Sequence, residues 1–183
     1  MKRRTALFIL ASTHWPTTHS QSAKDIPALL RSGACVFVMR HAETDPGIGD
    51  TPSFQLGDCR TQRNLSEAGR NQSRRIGQWF KSRQLKPRAV QSSAWCRCRD
   101  TAELAFGPYT VLPALNSTFN NDNLPEPQTQ SLRARLNAMP DGAFEVWVTH
   151  QVNITALTGE FTAMGEALIV HASGAVLART TLS

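Results

Sequence analysis

The chain has 183 residues, enough for one domain with a substantial core and a short leader. Hydrophobic residues at 40% and charged residues at 19% are ordinary for a folded globular protein and exclude a disordered or fibrous one. The net charge of +6 narrows the partners to nucleic acid, an anionic surface or a small anionic substrate. The basic residues are spread rather than striped, Tyr109 is the only tyrosine, and no nucleic-acid motif appears, so no nucleic-acid partner is expected.

Residues 1–23 follow the three-part pattern of a signal peptide. Lys2-Arg3-Arg4 is a basic start, Ala6 to Ala11 an apolar stretch, and Ser20, Ser22 and Ala23 supply small residues for cleavage, although His14, Trp15 and Pro16 interrupt the zone between. The expected organisation is a leader at 1–23, otherwise a disordered start, and a single domain at 24–183. The expected location is periplasmic or secreted, or cytoplasmic if the leader is not cleaved. No later segment approaches the roughly 20 apolar residues of a membrane span.

Lys24 to Ser32 reads as a short amphipathic turn or helix ended by Gly33. Ala34 to Met39 is an unbroken apolar run of strand length, typical of a strand buried on both faces of a parallel sheet. Asp45 to Arg63, rich in Pro, Gly, Asp and Thr, is a long loop. A helix opens after Leu65 with Ser66 as N-cap, puts Ile76, Trp79 and Phe80 on one face, and ends before Pro87. Ala89 to Ser92 is a second strand, and Arg97 to Phe106 a helix stopped by Gly107-Pro108.

Asn116 to Pro127 is a polar loop, and Leu132 to Met139 a helix stopped by Pro140. Phe144 to Thr149 is a third strand, Val152 to Leu157 starts a helix, and Leu168–Val170 with Ala175–Leu177 forms a C-terminal hairpin. The alternation predicts an α/β three-layer sandwich, a largely parallel sheet with helices on both faces. No repeat or second domain is visible. Cys96-x-Cys98 is not a zinc spacing. In an exported chain Cys59 would pair with Cys96 or Cys98, while Cys35 reads as a buried thiol.

Arg40-His41, Arg97 and His150 each follow a predicted strand. Ligands bind at the carboxyl ends of strands in an open parallel sheet, so these distant residues converge on one crevice. A lone histidine after a strand is usually a bystander; several groups suited to one anion are not. Arginine's planar fork matches phosphate oxygens and stays charged. A neutral imidazole is a nucleophile that can carry a phosphoryl group, and the other cations stabilise transition-state charge. The histidines lack HxxxH spacing or nearby acids, so neither a metal nor another cofactor is expected.

Val38-Met-Arg-His-Ala-Glu-Thr44 resembles the signature of the histidine phosphatase superfamily. Three further segments match it in order: Asn64-Leu-Ser-Glu-Ala-Gly-Arg70, Ser92-Ser-Ala-Trp-Cys-Arg-Cys-Arg-Asp-Thr-Ala102 and Val148-Thr-His-Gln-Val-Asn-Ile154. The resemblance implies a phosphoglycerate-mutase-like fold and, with the leader, a small exported bacterial branch. It also implies metal-independent hydrolysis of phosphate monoesters or phosphohistidine through a phosphohistidine intermediate. His41 would be the nucleophile, with Arg40, Arg97 and His150 binding phosphate and Gln151 beside them. Arg97 lies four residues after Ser93, with Thr101 four beyond, which makes Arg99 a surface charge.

Two departures stand out. Ala42 replaces the family's commoner glycine, so the backbone there must tolerate a Cβ. Gln151 follows the second histidine where one branch has an acid; the candidate general acids are Glu43, Asp122 and Glu126. Without an acid, alkyl phosphates become poor substrates, since protonating the leaving group is worth roughly 10²–10⁴-fold. The alternatives are a catalytically weak binder of anionic ligands on the same fold and a sugar-phosphate mutase. The partner expected is a small phosphorylated substrate or phosphate; the oligomeric state is not readable.

Overall fold

A computed structural model describes residues 25–47, 49–119 and 125–182. The leader expected at 1–23 and the candidate acid Asp122 lie outside them. Six strands form one sheet: β1 (Cys35–Arg40), β2 (Ala89–Ser92), β3 (Thr110–Val111), β4 (Phe144–Thr149), β5 (Glu166–His171) and β6 (Val176–Thr181). Their order is β3-β2-β4-β1-β5-β6. β3, β2, β4 and β1 run parallel, and β5 and β6 continue the sheet antiparallel.

Alternation along β1 explains the layers. Cys35, Phe37 and Met39 share one core with Leu30, Ile76, Phe80 and Cys98, whereas Val36 and Val38 share the other with Leu132, Leu136, Ile154 and Leu157. Helices α1 (Ile26–Ser32), α2 (Glu67–Ser82) and α3 (Cys96–Phe106) therefore cover one face. Helices α4 (Pro125–Asn137) and α5 (Gln151–Thr158) cover the other. The three-layer architecture is the expected one.

Some boundaries differ. α4 begins at Pro125, inside the stretch expected to be loop, because proline costs no hydrogen bond in a helix's first turn. The short edge strand β3 has no periodic signal in the sequence. The C-terminal hairpin is longer than its apolar residues indicate, since β6 lies at the sheet's edge with only Ala178 buried.

Candidate active site

The parallel ladders continue past the strand ends. His41 N–H donates to Thr149 O at 3.0 Å, and Ser93 N–H donates to Val148 O at 3.0 Å. Arg40, His41, Ser93 and His150 are thereby set side by side at the carboxyl ends of β1, β2 and β4.

Two helices fix the segment that follows His41. Ala42 N–H donates to Thr101 Oγ1 at 3.0 Å, and the Thr101 hydroxyl donates to Arg97 O at 2.7 Å, so α3 holds both His41's neighbour and the arginine. Ala42 is not among the residues with positive φ, so its backbone accommodates a Cβ without strain. At the start of α2, Ser66 Oγ accepts from Gly69 N–H at 3.1 Å, the expected cap. A Cβ on Gly69 would collide with the Glu43 carbonyl, so the helix packs directly on that backbone.

The two imidazoles are buried with ring centroids 5.6 Å apart. His41 Nδ1 lies 2.9 Å from the Ala42 carbonyl, which can only accept, so Nδ1 carries the proton and Nε2 the lone pair. Burial, reinforced by Arg97, Arg40 and Arg63, lowers the His41 pKa from 6.5 to about 3 against the opposing Ala42 bond. The same causes, with His41 itself, push His150 well below 6.5.

His150 Nε2 is 2.9 Å from Ser93 Oγ and 3.4 Å from Cys98 Sγ. Asn116 Oδ1 accepts from Ala94 N–H at 2.7 Å and from the Ser93 hydroxyl at 3.1 Å. With its proton given to Asn116, Ser93 accepts from His150, whose hydrogen therefore sits on Nε2. Burial raises the Cys98 thiol to about 12, so it stays S–H and donates to Thr149 O at 3.6 Å.

Three guanidiniums share the site. Arg97 is buried, its carbon 4.5 Å over the Trp95 ring, while Arg40 and Arg63 are partly exposed. Arg40 donates through Nη1 to Thr162 O at 3.1 Å. The Nε–H groups of Arg40, Arg63 and Arg97 are buried without a protein partner. Arg40 and Arg63 are lowered by burial first and then by like-charged neighbours. Like charges gathered around unpartnered buried donors are suited to an anion.

The cavity these groups line measures about 710 Å³, within the ~300–1,000 Å³ of small-molecule sites. It contains Arg40, His41, Arg97, His150 and Gln151 together, and adds two charged residues not foreseen in the sequence, Asp50 and Arg63. Asp50 Oδ1 accepts from Arg97 Nη1 at 2.9 Å and from Arg63 N–H at 2.8 Å. A signal for Arg63 did exist: it directly precedes the Asn64-Leu-Ser element, which returns to β1's end through the Thr44–Leu65 bridge.

Other expected residues lie elsewhere. Glu43 is exposed and outside the cavity lining. Glu126 is exposed on α4, accepting from Gln130 Nε2 at 3.2 Å and facing Arg133 at 4.0 Å, also outside the lining. Gln151 lines the cavity, but its amide is engaged with Thr155, Glu160 and Thr162. Arg99 donates to Tyr109 Oη at 3.0 Å, away from the cavity as its register required. Among the described residues no cluster of His, Cys, Asp or Glu has the makings of a metal site, and no helix is long and apolar enough to cross a membrane.

Residues 36–124 match the family model of the histidine phosphatase superfamily (branch 1). The sequence matches no curated protein. The fold is similar to that of the protein histidine phosphatase SixA, solved with tungstate: 19% identity over 80% of this chain and 96% of that one, TM-score 0.54. It is also similar to the phosphoglycerate mutase of Thermus thermophilus: 20% identity over 81% of this chain and 99% of that one, TM-score 0.57. At such identities the likeness fixes the fold alone. His150 lies beyond the matched segment and is brought to it by β4. The chain thus carries the histidine phosphatase superfamily pattern through residues 36–124, on a phosphoglycerate-mutase-like fold.

Proposed function

We propose that the chain is a metal-independent phosphoric monoester hydrolase that works through phosphohistidine on His41. The observation carrying this reading is one cavity that joins a neutral imidazole, its lone pair on Nε2, to three arginines with unpartnered buried Nε–H groups. In the first step Nε2 attacks phosphorus, the P–N bond forms, and the ester P–O bond breaks with both electrons leaving on oxygen. In the second, water attacks phosphorus, the P–N bond breaks, and inorganic phosphate departs as His41 regains its lone pair.

Arg40, Arg63 and Arg97 neutralise the equatorial oxygens. A bound phosphate dianion opposes the burial that keeps His150 neutral, so His150 adds a further cation with its Nε2–H resting on Ser93. SixA's complex with tungstate, a tetrahedral oxyanion, supports an oxyanion ligand for this pocket. Neither Glu43 nor Glu126 lines the cavity, and Asp50, which does, is held as a carboxylate by Arg97 and the Arg63 N–H, which supports a preference for good leaving groups such as aryl oxides or imidazole over sugar alcohols.

A periplasmic or secreted location belongs to the same proposal, on the leader-like sequence at 1–23 and the disulfide between Cys59 and Cys96. The test is turnover of an aryl phosphate, an alkyl phosphate and phosphohistidine by the wild type and His41→Ala. The wild type hydrolyses the first and third faster, and the variant loses turnover and phosphoenzyme while remaining folded. An active His41→Ala protein, or equal rates on alkyl and aryl esters, refutes the mechanism.

A further inference from the structure

Two of the most exposed large apolar side chains in the described part of the molecule, Phe119 at 77% and Phe161 at 68%, both line the phosphate cavity. Phe161 is not loose. Its carbonyl accepts from Arg179 Nη1 at 2.7 Å, and Arg179 also pairs with Glu160 and Glu166. The next residue, Thr162, donates its N–H to Gln151 Oε1 at 2.8 Å and accepts from Arg40 at 3.1 Å. A backbone held on both sides thus presents a phenyl ring to solvent at the mouth of a cationic pocket. Exposed aromatic surface rimming a polar pocket marks a place where something apolar is bound.

The opposite material of the wall agrees. Phe54 packs on Trp95 with ring centroids 4.4 Å apart, and Trp95 meets His150 edge-on at 5.8 Å, so aromatic surface runs from the second histidine outward. Val152 adds to it. The polar side chains of the wall are already engaged: Asp50 with Arg97, Gln151 with its own loop, and Ser117 Oγ with Phe119 N–H. A polyhydroxylated leaving group would find few free partners, whereas a hydrocarbon would cover Phe161, Phe54 and Val152. The volume of about 710 Å³ leaves ample room beyond one phosphoryl group.

We infer that this site takes phosphate monoesters whose organic group is apolar, an aromatic ring or a hydrocarbon chain, seated against Phe54, Phe119 and Phe161. This rests on the phosphate-site reading above. It is tested by binding alone, which separates it from leaving-group chemistry. Calorimetry would measure inorganic phosphate and methyl-, propyl-, hexyl- and phenylphosphonate against wild type, Phe161→Ala and Phe161→Leu.

In the wild type, affinity rises with chain length by about two- to fourfold per methylene, the upper value being the limit for complete burial. Phe161→Ala flattens the series, Phe161→Leu keeps most of it, and phosphate binds all three proteins alike. Whether hexyl- or phenylphosphonate binds more tightly tells a chain from a ring. A wild-type series flat from methyl to hexyl and phenyl, or equal slopes in wild type and Phe161→Ala, overturns the inference while phosphate binding keeps the site. Loss of phosphate binding in the wild type removes both.

Discussion

On the proposed mechanism, an imidazole that attacks phosphorus at neutral pH has to remain unprotonated. Burial and the neighbouring arginines keep His41 so, against the Ala42 carbonyl, whose bond fixes the one remaining proton on Nδ1. The arrangement has a measurable effect on stability. In the unfolded chain the ring binds a proton below about 6.5, but in the folded one only near 3, so between those values the unfolded state holds more protons. The contribution is complete above about 6.5 and is lost as pH falls toward 3, at up to about 1.4 kcal/mol per pH unit for each such histidine. His150 is shifted the same way and steepens the loss. Urea unfolding at about pH 7, 5.5 and 4 should give a shallower pH slope for His41→Ala than for wild type. Equal slopes would show that His41 is not held neutral by the fold.

At this scale the sequence is informative for some residues and silent for others. Arg40, His41, Arg97 and His150 are legible because each follows an apolar run or sits at a fixed register from one. Asp50, Arg63 and the Ser93–Asn116 pair that fixes the His150 proton are not, because loop residues are placed by partners remote in sequence. Of the acids named, Glu43 and Glu126 are surface residues, and nothing local in the sequence distinguishes a carboxylate beside a pocket from one in it.

Among the elements, the Asp45–Arg63 loop depends most on tertiary support. Cys59 is joined to Cys96 across 37 residues, with Arg63 just beyond one half-cystine and Arg97 next to the other. The crosslink thereby holds together two guanidiniums that repel each other. Reduction, or Cys59→Ser, should lower stability by about 2–4 kcal/mol. It should also raise KM for a phosphate ester more than it lowers kcat, since His41 and His150 are held by strands and not by the loop. A fall in kcat at constant KM would contradict that division. The sequence leaves the pairing open between Cys96 and Cys98. Helical geometry decides it, for Cys98 points into the core beside His150.

For the whole molecule, the sheet is both the core and the mount of the site. Its inner strands β1 and β4 are almost wholly buried, and their backbone ladder runs on into His41. Elements this deep open only with global unfolding. Loss of activity on heating should therefore track loss of tertiary structure in one transition, followed by circular dichroism and residual turnover on the same samples. Inactivation well before unfolding would place the weak point in the loops. The parallel core is legible from the apolar runs of β1 and β4 and the short Ala89–Ser92 segment between helices, whereas β3 and the extent of the antiparallel edge are not, since edge strands need no continuous apolar pattern.

The ladder from Thr149 to His41 carries one more consequence, for the order in which the chain emerges during synthesis. His41 and the site's three arginines precede the strand that frames them. A nascent chain that has not yet exposed Phe144 to His150 has no β4, hence no ladder bond from Thr149 to His41 and nothing to join β2 to β1. The frame of the proposed site arrives with the C-terminal part of the polypeptide, and a truncated product ending before it would have the cations without a frame to aim them.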